Sequence, residues 1–334
     1  MLSVSDDYKL DFDDVLLTPR VSTQKTISRS EVDLQVDGAV PLIVANMDHI
    51  GTFQIAQHLK SFRLQVALLK DFTADQWSHE VRERQLDPRL LIPTLGTRDL
   101  AEEIAKIRRI VTEFPTIPFV CLDVANGYLE TAADAVRAVK DALPSVRIAA
   151  GNVVEEEGLW HLARAGADII KVGIGSGGVC LTRKMTGVGY PQFSAIQELF
   201  PVAQEAGVAL ISDGGMTGPD AAAKAFAAGA DYVMAGSYFA GHEETGLEFH
   251  GMSSTRSRTD RGQEIRTYRA SEGREVVLHS RGSLAHTVTA LLGGLNSSCT
   301  MLNVRRLGDL KHAPLKATRV HHQLNRIHGI QAGT

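Results

Sequence analysis

Ala165-Gly166-Ala167-Asp168-Ile169-Ile170-Lys171-Val172-Gly173-Ile174-Gly175-Ser176-Gly177-Gly178-Val179-Cys180-Leu181-Thr182-Arg183 carries both the fold and the chemistry of this 334-residue chain. Gly166 sits where a helix must stop, because glycine enters the left-handed region without a Cβ penalty. The run 169–172 that follows is short and mostly apolar, as a strand covered on both faces must be. The phrase Ala-Gly-Ala-Asp returns at Ala228-Gly229-Ala230-Asp231, again ahead of an apolar run. Working outward, such runs occur at 40–45, 64–69, 90–95, 119–122, 146–150, 169–172, 208–211 and 232–235. Between them lie helical stripes: Leu100, Ile104, Ile107, Val111 and Phe114; Val136, Val139 and Leu143; Phe193, Ile196, Leu199 and Ala203. Eight strands alternating with helices at roughly 25-residue intervals predict an α/β protein with a (β/α)8 (TIM) barrel fold, one domain spanning 1–334. A doubly wound sheet fits less well, since it favours fewer strands and a glycine-rich turn after the first one.

Composition narrows the function. Hydrophobic residues make up 44% and charged residues 22% of the chain, enough for a sizeable core. The net charge of −4 supplies no basic field for nucleic acid. No run of 18 apolar residues predicts a membrane span, and the polar, acidic start argues against a signal peptide. Three widely spaced cysteines, Cys121, Cys180 and Cys299, form neither a disulfide framework nor a metal-ligand spacing. A reducing cytoplasmic location is the expectation.

The chain takes about 15 residues more than its usual interval between the sixth and seventh strands, and the excess is the glycine loop 173–191. Barrels place their sites on loops leaving the C-terminal strand ends. A thiol delivered there by glycines reads as a nucleophile beside a bound ligand. Cys121 lies within a strand and reads as core. Cys299 follows Asn296-Ser297-Ser298, where structure and function are not separable. Gly173-x-Gly175-x-Gly177 resembles part of a dinucleotide fingerprint, but it leads into Cys-Leu-Thr-Arg-Lys rather than an apolar helix. Ser212-Asp213-Gly214-Gly215 and Ala235-Gly236-Ser237 end the seventh and eighth strands, the usual phosphate-binding place in a barrel. Asp213 would then face ribose hydroxyls. His242-Glu243-Glu244 and His321-His322 lack a catalytic-metal spacing. Composition leaves open a monovalent cation on glycine-loop carbonyls. The polar stretch 241–283, with seven arginines between Arg256 and Arg281, reads as a long mobile flap over the site. A helix at 284–292 should follow.

These residues bring a family into view. The chain resembles the GMP reductases of the IMP dehydrogenase/GMP reductase family over nearly its whole length. The matches include Ala45-Asn46-Met47-Asp48, Cys121-Leu122-Asp123-Val124-Ala125-Asn126-Gly127-Tyr128, Gly151-Asn152-Val153-Val154, Thr186-Gly187-Val188-Gly189-Tyr190-Pro191-Gln192, Phe239-Ala240-Gly241-His242-Glu243-Glu244 and Gly251-Met252-Ser253-Ser254. Three features favour the reductases over the dehydrogenases. The segment 123–128 has the reductase form, and the chain has no room for a CBS domain. The flap reads Tyr268-Arg269-Ala270-Ser271-Glu272-Gly273, without the adjacent Arg-Tyr pair with which the dehydrogenases activate water. An IMP dehydrogenase lacking CBS domains and a nucleotide-binding paralogue are the alternatives.

The resemblance implies reductive deamination of GMP to IMP and ammonia, with NADPH as cofactor and potassium as a bound cation. Cys180 is then the nucleophile, and Thr182 with Glu272 handle protons. Asp213, Gly214, Gly215, Gly236, Ser237, Met252, Ser253, Arg269 and Gly273 match nucleotide contacts. Ser28, Arg29, Lys70, Asp123, Val124, Ala125, Ile174 and Gly175 match NADPH contacts. Ser297, Ser298, Cys299 and Thr300 match a segment that reaches the cofactor of a neighbouring subunit in a homotetramer. Gly175, Gly177 and Cys180 match carbonyls that hold potassium. The chain also departs from the family. Ser176 and Gly178 stand where the family's loop has proline and serine. Leu181 replaces a threonine, and Leu69 and Asp71 replace histidines beside Lys70. The missing serine hydroxyl implies weaker phosphate binding, since a charge-assisted hydrogen bond is worth about 1.5–3 kcal/mol.

Overall fold

The computed structural model describes residues 7–21, 28–124, 126–260 and 271–320. The apolar runs become β1 (Val40–Val44), β2 (Leu64–Ala67), β3 (Leu91–Ile92 and Thr94–Leu95), β4 (Val120–Leu122), β5 (Ile148–Val153), β6 (Ile169–Val172), β7 (Ala209–Asp213) and β8 (Tyr232–Ala235). Neighbours pair in parallel, and β8 returns to β1 with Val233 opposite Leu42. The expected (β/α)8 barrel is therefore present. Its one interruption is at Pro93, which has no N–H to give a ladder. The first half of β3 pairs with β2 and the second with β4, while the Pro93 carbonyl accepts the Cys121 N–H at 2.9 Å.

Strand alternation divides the core in two. Ile43, Ala67, Ile92, Cys121, Ala149, Ile169, Ile211 and Met234 pack together inside the barrel. Leu42, Val44, Val66, Leu122, Ala150, Ile170, Leu210 and Val233 face the surrounding helices. Those helices are α1 (Phe53–Leu59), α2 (Ala74–Glu83), α3 (Leu100–Glu113), α4 (Glu130–Ala142), α5 (Glu156–Arg164), the short α6 (Thr182–Thr186), α7 (Gln192–Ala206) and α8 (Pro219–Ala228). The predicted stripes lie on α3, α4 and α7. Both Ala-Gly-Ala-Asp phrases act alike: Gly166 (φ +105°) and Gly229 (φ +125°) turn the chain. Asp168 then accepts Ile148 N–H (2.8 Å) and Lys140 Nζ (2.7 Å). Asp231 accepts Leu210 N–H (2.8 Å) and pairs with Lys311.

The stretch 241–283 differs from the expectation of a loop without structure. β9 (Glu248–His250) and β10 (Glu275–Val277) form an antiparallel ribbon, with α9 (Thr255–Asp260) between them. The part of the flap at 261–270, including Tyr268 and Arg269, lies outside the described residues. Helix α10 (Leu284–Met301) runs well beyond the expected 292. In its polar end Ser297, Ser298 and Thr300 donate their hydroxyls to the carbonyls of Gly293, Gly294 and Asn296, so these side chains are satisfied within the helix. No helix among the described residues is long and apolar enough to cross a membrane.

Candidate active site

The loop after β6 is shaped by contacts that only glycine permits. A Cβ on Gly173 (φ +147°) would sit 2.2 Å from the Asp213 carbonyl, and one on Gly175 (φ +76°) 2.3 Å from Arg183 Cγ. The chain then turns, with Cys180 N–H donating to Gly177 O at 3.0 Å, and enters α6. The flap's returning strand lies along this loop. Leu181 N–H donates to Glu272 O (2.7 Å) and Arg274 N–H to Val179 O (2.9 Å). That pairing brings together Thr182 and Glu272, 90 positions apart. Cys180 Sγ donates to Thr182 Oγ1 at 3.3 Å, and Thr182 Oγ1 donates to Glu272 Oε2 at 2.7 Å. A thiol, a hydroxyl and a carboxylate thus form one hydrogen-bonded line on the wall of a cavity of about 300 Å³, a size suited to a small-molecule ligand.

Most of the expected nucleotide contacts share that wall: Asp213, Gly214, Gly215, Gly236, Ser237, Met252, Ser253 and Gly273. Gly214 (φ +84°) and Gly215 (φ +79°) are consecutive left-handed residues. The Gly214 N–H is already given to Met234 O at 3.1 Å, so Gly214 serves by its conformation rather than as a donor. Ser176 does not line this cavity, and its hydroxyl donates to the Asp213 carbonyl at 2.8 Å. A Cβ on Gly178 would lie 3.2 Å from Ser237 Oγ.

The same cavity is lined by a group that the sequence reading passed over. Lys171, 5% exposed, points from β6 to Asp213 Oδ2 at 3.1 Å. Asn152 Nδ2 donates to the same oxygen at 2.9 Å and to Gly173 O at 2.8 Å. Burial favours the neutral amine, but the Asp213 carboxylate outweighs it and holds Lys171 above its ordinary pKa. The signal was available: a lysine in an otherwise apolar strand needs a buried partner.

A model of the IMP dehydrogenase / GMP reductase domain matches residues 9–324. The chain belongs to the IMP dehydrogenase/GMP reductase family. Both activities in that name are oxidoreductase activities, and the chain is an enzyme of that class. It is 40% identical to a GMP reductase of Tolumonas auensis over 98% of this chain and 99% of that protein. It is 41% identical to a GMP reductase of Phytophthora infestans, covering 98% and 95% of the two chains. Human GMP reductase 2 is 41% identical, over 98% and 99%.

The other residues expected from the family divide into two sets. Asp123, Val124, Ile174 and Gly175 line the cavity with Cys180. Lys70 joins them through its ion pair with Asp123, at 2.8 Å. Ser28, Arg29 and Ser297 to Thr300 do not line it. Ser28 caps a single 3-10 turn, Arg29–Glu31, that packs on α10. Cys299 points into the core and is fully buried. Ala125 lies outside the described residues. Burial pushes both the Cys121 and the Cys299 thiol up to about 11, so neither is poised as a nucleophile. Cys180 is the cysteine with access to the cavity. His242 is a packing residue, buried between Phe239 O (3.2 Å) and Thr287 Oγ1 (2.8 Å).

Proposed function

We propose that this enzyme catalyses the NADPH-dependent reductive deamination of GMP to IMP and ammonia, a step of purine nucleotide interconversion. The hydrogen-bonded line Cys180–Thr182–Glu272 beside the nucleotide-sized cavity carries this reading. Cys180 is the nucleophile. Its thiol proton leaves toward Thr182 and Glu272 as sulfur bonds to purine C2. Glu272, working through Thr182, returns a proton to the 2-amino group, which departs as ammonia. General acid help of this kind is worth about 10²–10⁴-fold. The purine then remains joined to Cys180 as a thioimidate. Lys70, Asp123, Val124 and Ile174 would hold a dihydronicotinamide, whose chemistry when bound would be to supply the hydride for C2. The C2–sulfur bond breaks last and leaves the thiolate, which regains the thiol by taking up a proton from solvent. The shared wall of Asp123, Val124, Ile174 and Cys180 supports this fit.

Asp213, fixed by Lys171 and Asn152, holds the ribose hydroxyls. Gly215, Gly236 and Ser237 take the 5′-phosphate, with Met252, Ser253 and Gly273 closing the nucleotide from the flap. The flap pairing with the catalytic loop keeps water from the thioimidate, whose hydrolysis would give XMP. The carbonyls of Gly175, Gly177 and Cys180 suit a monovalent ion such as potassium, since they offer oxygen without carboxylate charge. Arg269, which lies outside the described residues, completes the nucleotide contacts in this reading. Ser28, Arg29, Ser297, Ser298 and Thr300, away from the cavity, fit a cofactor shared across subunits of a cytoplasmic homotetramer. Cys299 joins that segment by position alone.

The test follows NADPH consumption with GMP and identifies the products. IMP and ammonia in equal amounts are expected. XMP formed from IMP and NAD⁺, with no NADPH consumption on GMP, would overturn the proposal in favour of a dehydrogenase.

A further inference from the structure

Helix α6 carries Thr182, yet it is too short to hold itself in place. It has five residues, its N-cap is Leu181 without a side-chain hydrogen bond, and none of its residues is buried. Isolated helices of that length are not stable in water, and a missing cap removes a further contribution. Something outside it must set the position of Thr182 relative to Cys180.

Arg183, the next residue, provides the attachment. Its stem lies between Gly175 and Gly189, where a Cβ on either would fall 2.3 Å and 2.6 Å from Arg183 Cγ. One arm of its guanidinium donates to the Tyr190 carbonyl, at the far end of the loop. The other donates to Asp11 Oδ2 at 2.9 Å. Asp11 lies 172 residues earlier, on the N-terminal arm. Its second oxygen accepts the Gln192 N–H at 2.6 Å. That N–H opens α7, whose own N-cap, Pro191, offers no side chain for capping. One carboxylate therefore holds the catalytic loop at two points, Arg183 beside the reacting residues and Gln192 where the next helix begins. The arm is itself anchored. Leu10 and Ser194 exchange hydrogen bonds of 2.9 and 3.0 Å, and Phe12 packs edge-on against Phe193.

We propose that Asp11 is a positioning residue for the reaction, acting through Arg183 to fix Thr182 against the Cys180 thiol. The proposal rests on the catalytic reading of Cys180, but its test does not require GMP turnover. Asp11→Asn keeps the size of the side chain and removes its charge. Displacements of about 1 Å in an active site cost up to about 10²-fold. A fall in kcat of about ten- to a hundredfold is therefore expected, with KM for GMP changed by less than about threefold. The profile of Cys180 alkylation, the rate against iodoacetamide concentration at one pH without nucleotide, should change in slope, since Sγ loses its fixed neighbour. Asp11→Glu, which keeps the charge, should restore most of the rate. Wild-type kcat in Asp11→Asn would overturn the proposal. So would a lowered melting temperature with an unchanged alkylation profile, which marks a merely structural role. If Asp11→Asn does not fold, Arg183→Lys carries the test. It keeps the charge but not the fork, and an alkylation profile like wild type again overturns the proposal. Absence of GMP turnover in the wild type would instead count against the proposed function and leave the alkylation result standing.

Discussion

Replacing Glu272 with glutamine separates the two halves of the proposed reaction. The Thr182 hydroxyl donates to Glu272 Oε2 at 2.7 Å, and the Leu181 N–H donates to the Glu272 main-chain carbonyl. Glutamine offers an amide oxygen in nearly the same place, and the main-chain bond does not depend on the side chain. The flap therefore keeps its seat on the catalytic loop, while the group that exchanges a proton is lost. General acid–base catalysis by one side chain is worth about 10²–10⁴-fold, or about 2.7–5.5 kcal/mol in the barrier. That loss falls on ammonia release, the step that needs a proton on a poor leaving group. Hydride exchange between IMP and NADP⁺ involves no amino group and needs only the thiol proton removed, so it should lose clearly less than GMP turnover. The assay pairs steady-state GMP turnover with isotope exchange from labelled cofactor into IMP. Equal losses in both would refute the assigned role, because they would mean that Glu272 only holds the site together. GMP turnover near the wild-type rate would refute it more simply.

Two other measurements follow from the thiols and from Asp87. In the native protein at pH 8, iodoacetamide should label Cys180 alone. Cys121 and Cys299 are buried and titrate near 11, which leaves about one thiolate in a thousand at that pH; native labelling of either would contradict the burial described above. Burial pushes the Asp87 carboxyl up, but hydrogen bonds from Arg89 and Arg63 outweigh it and hold it at about 2 against an ordinary 3.8. A depressed carboxyl stabilises the fold above its unfolded pKa and loses that effect as pH falls through the folded value. The melting-temperature gap between wild type and Asp87→Asn should thus be full near pH 6 and narrow from about pH 4 to 2. A gap independent of pH would show that the carboxylate charge is not the cause.

The barrel was legible because its strands are apolar on both faces and its helices carry one-sided stripes. Burial writes both patterns directly into residue type. The break at Pro93 was hidden inside one apolar run, since hydrophobicity does not report which N–H groups a ladder needs. The flap ribbon was missed because each of its strands has three residues, too few for alternation to register. α10 was cut short in the reading because serine and threonine usually mark helix ends, whereas here their hydroxyls turn back onto the helix. At the site, Cys180 and Thr182 were visible as a local motif. Asp11 was not assigned a role, because its contact with Arg183 spans the chain and leaves no local spacing. Lys171 sat in plain view within the opening stretch, where the glycines and the thiol drew the interpretation.

Gly178 and Ser237 constrain one another's side chains. A side chain at 178 would stand 3.2 Å from the Ser237 hydroxyl, closer than it can rest without moving it. A serine placed at 178 would thus add one hydroxyl while pushing the Ser237 hydroxyl by a few tenths of an ångström. The two positions share one space, so a swap at 178 alone also reads the response of Ser237, and only a double exchange separates the two.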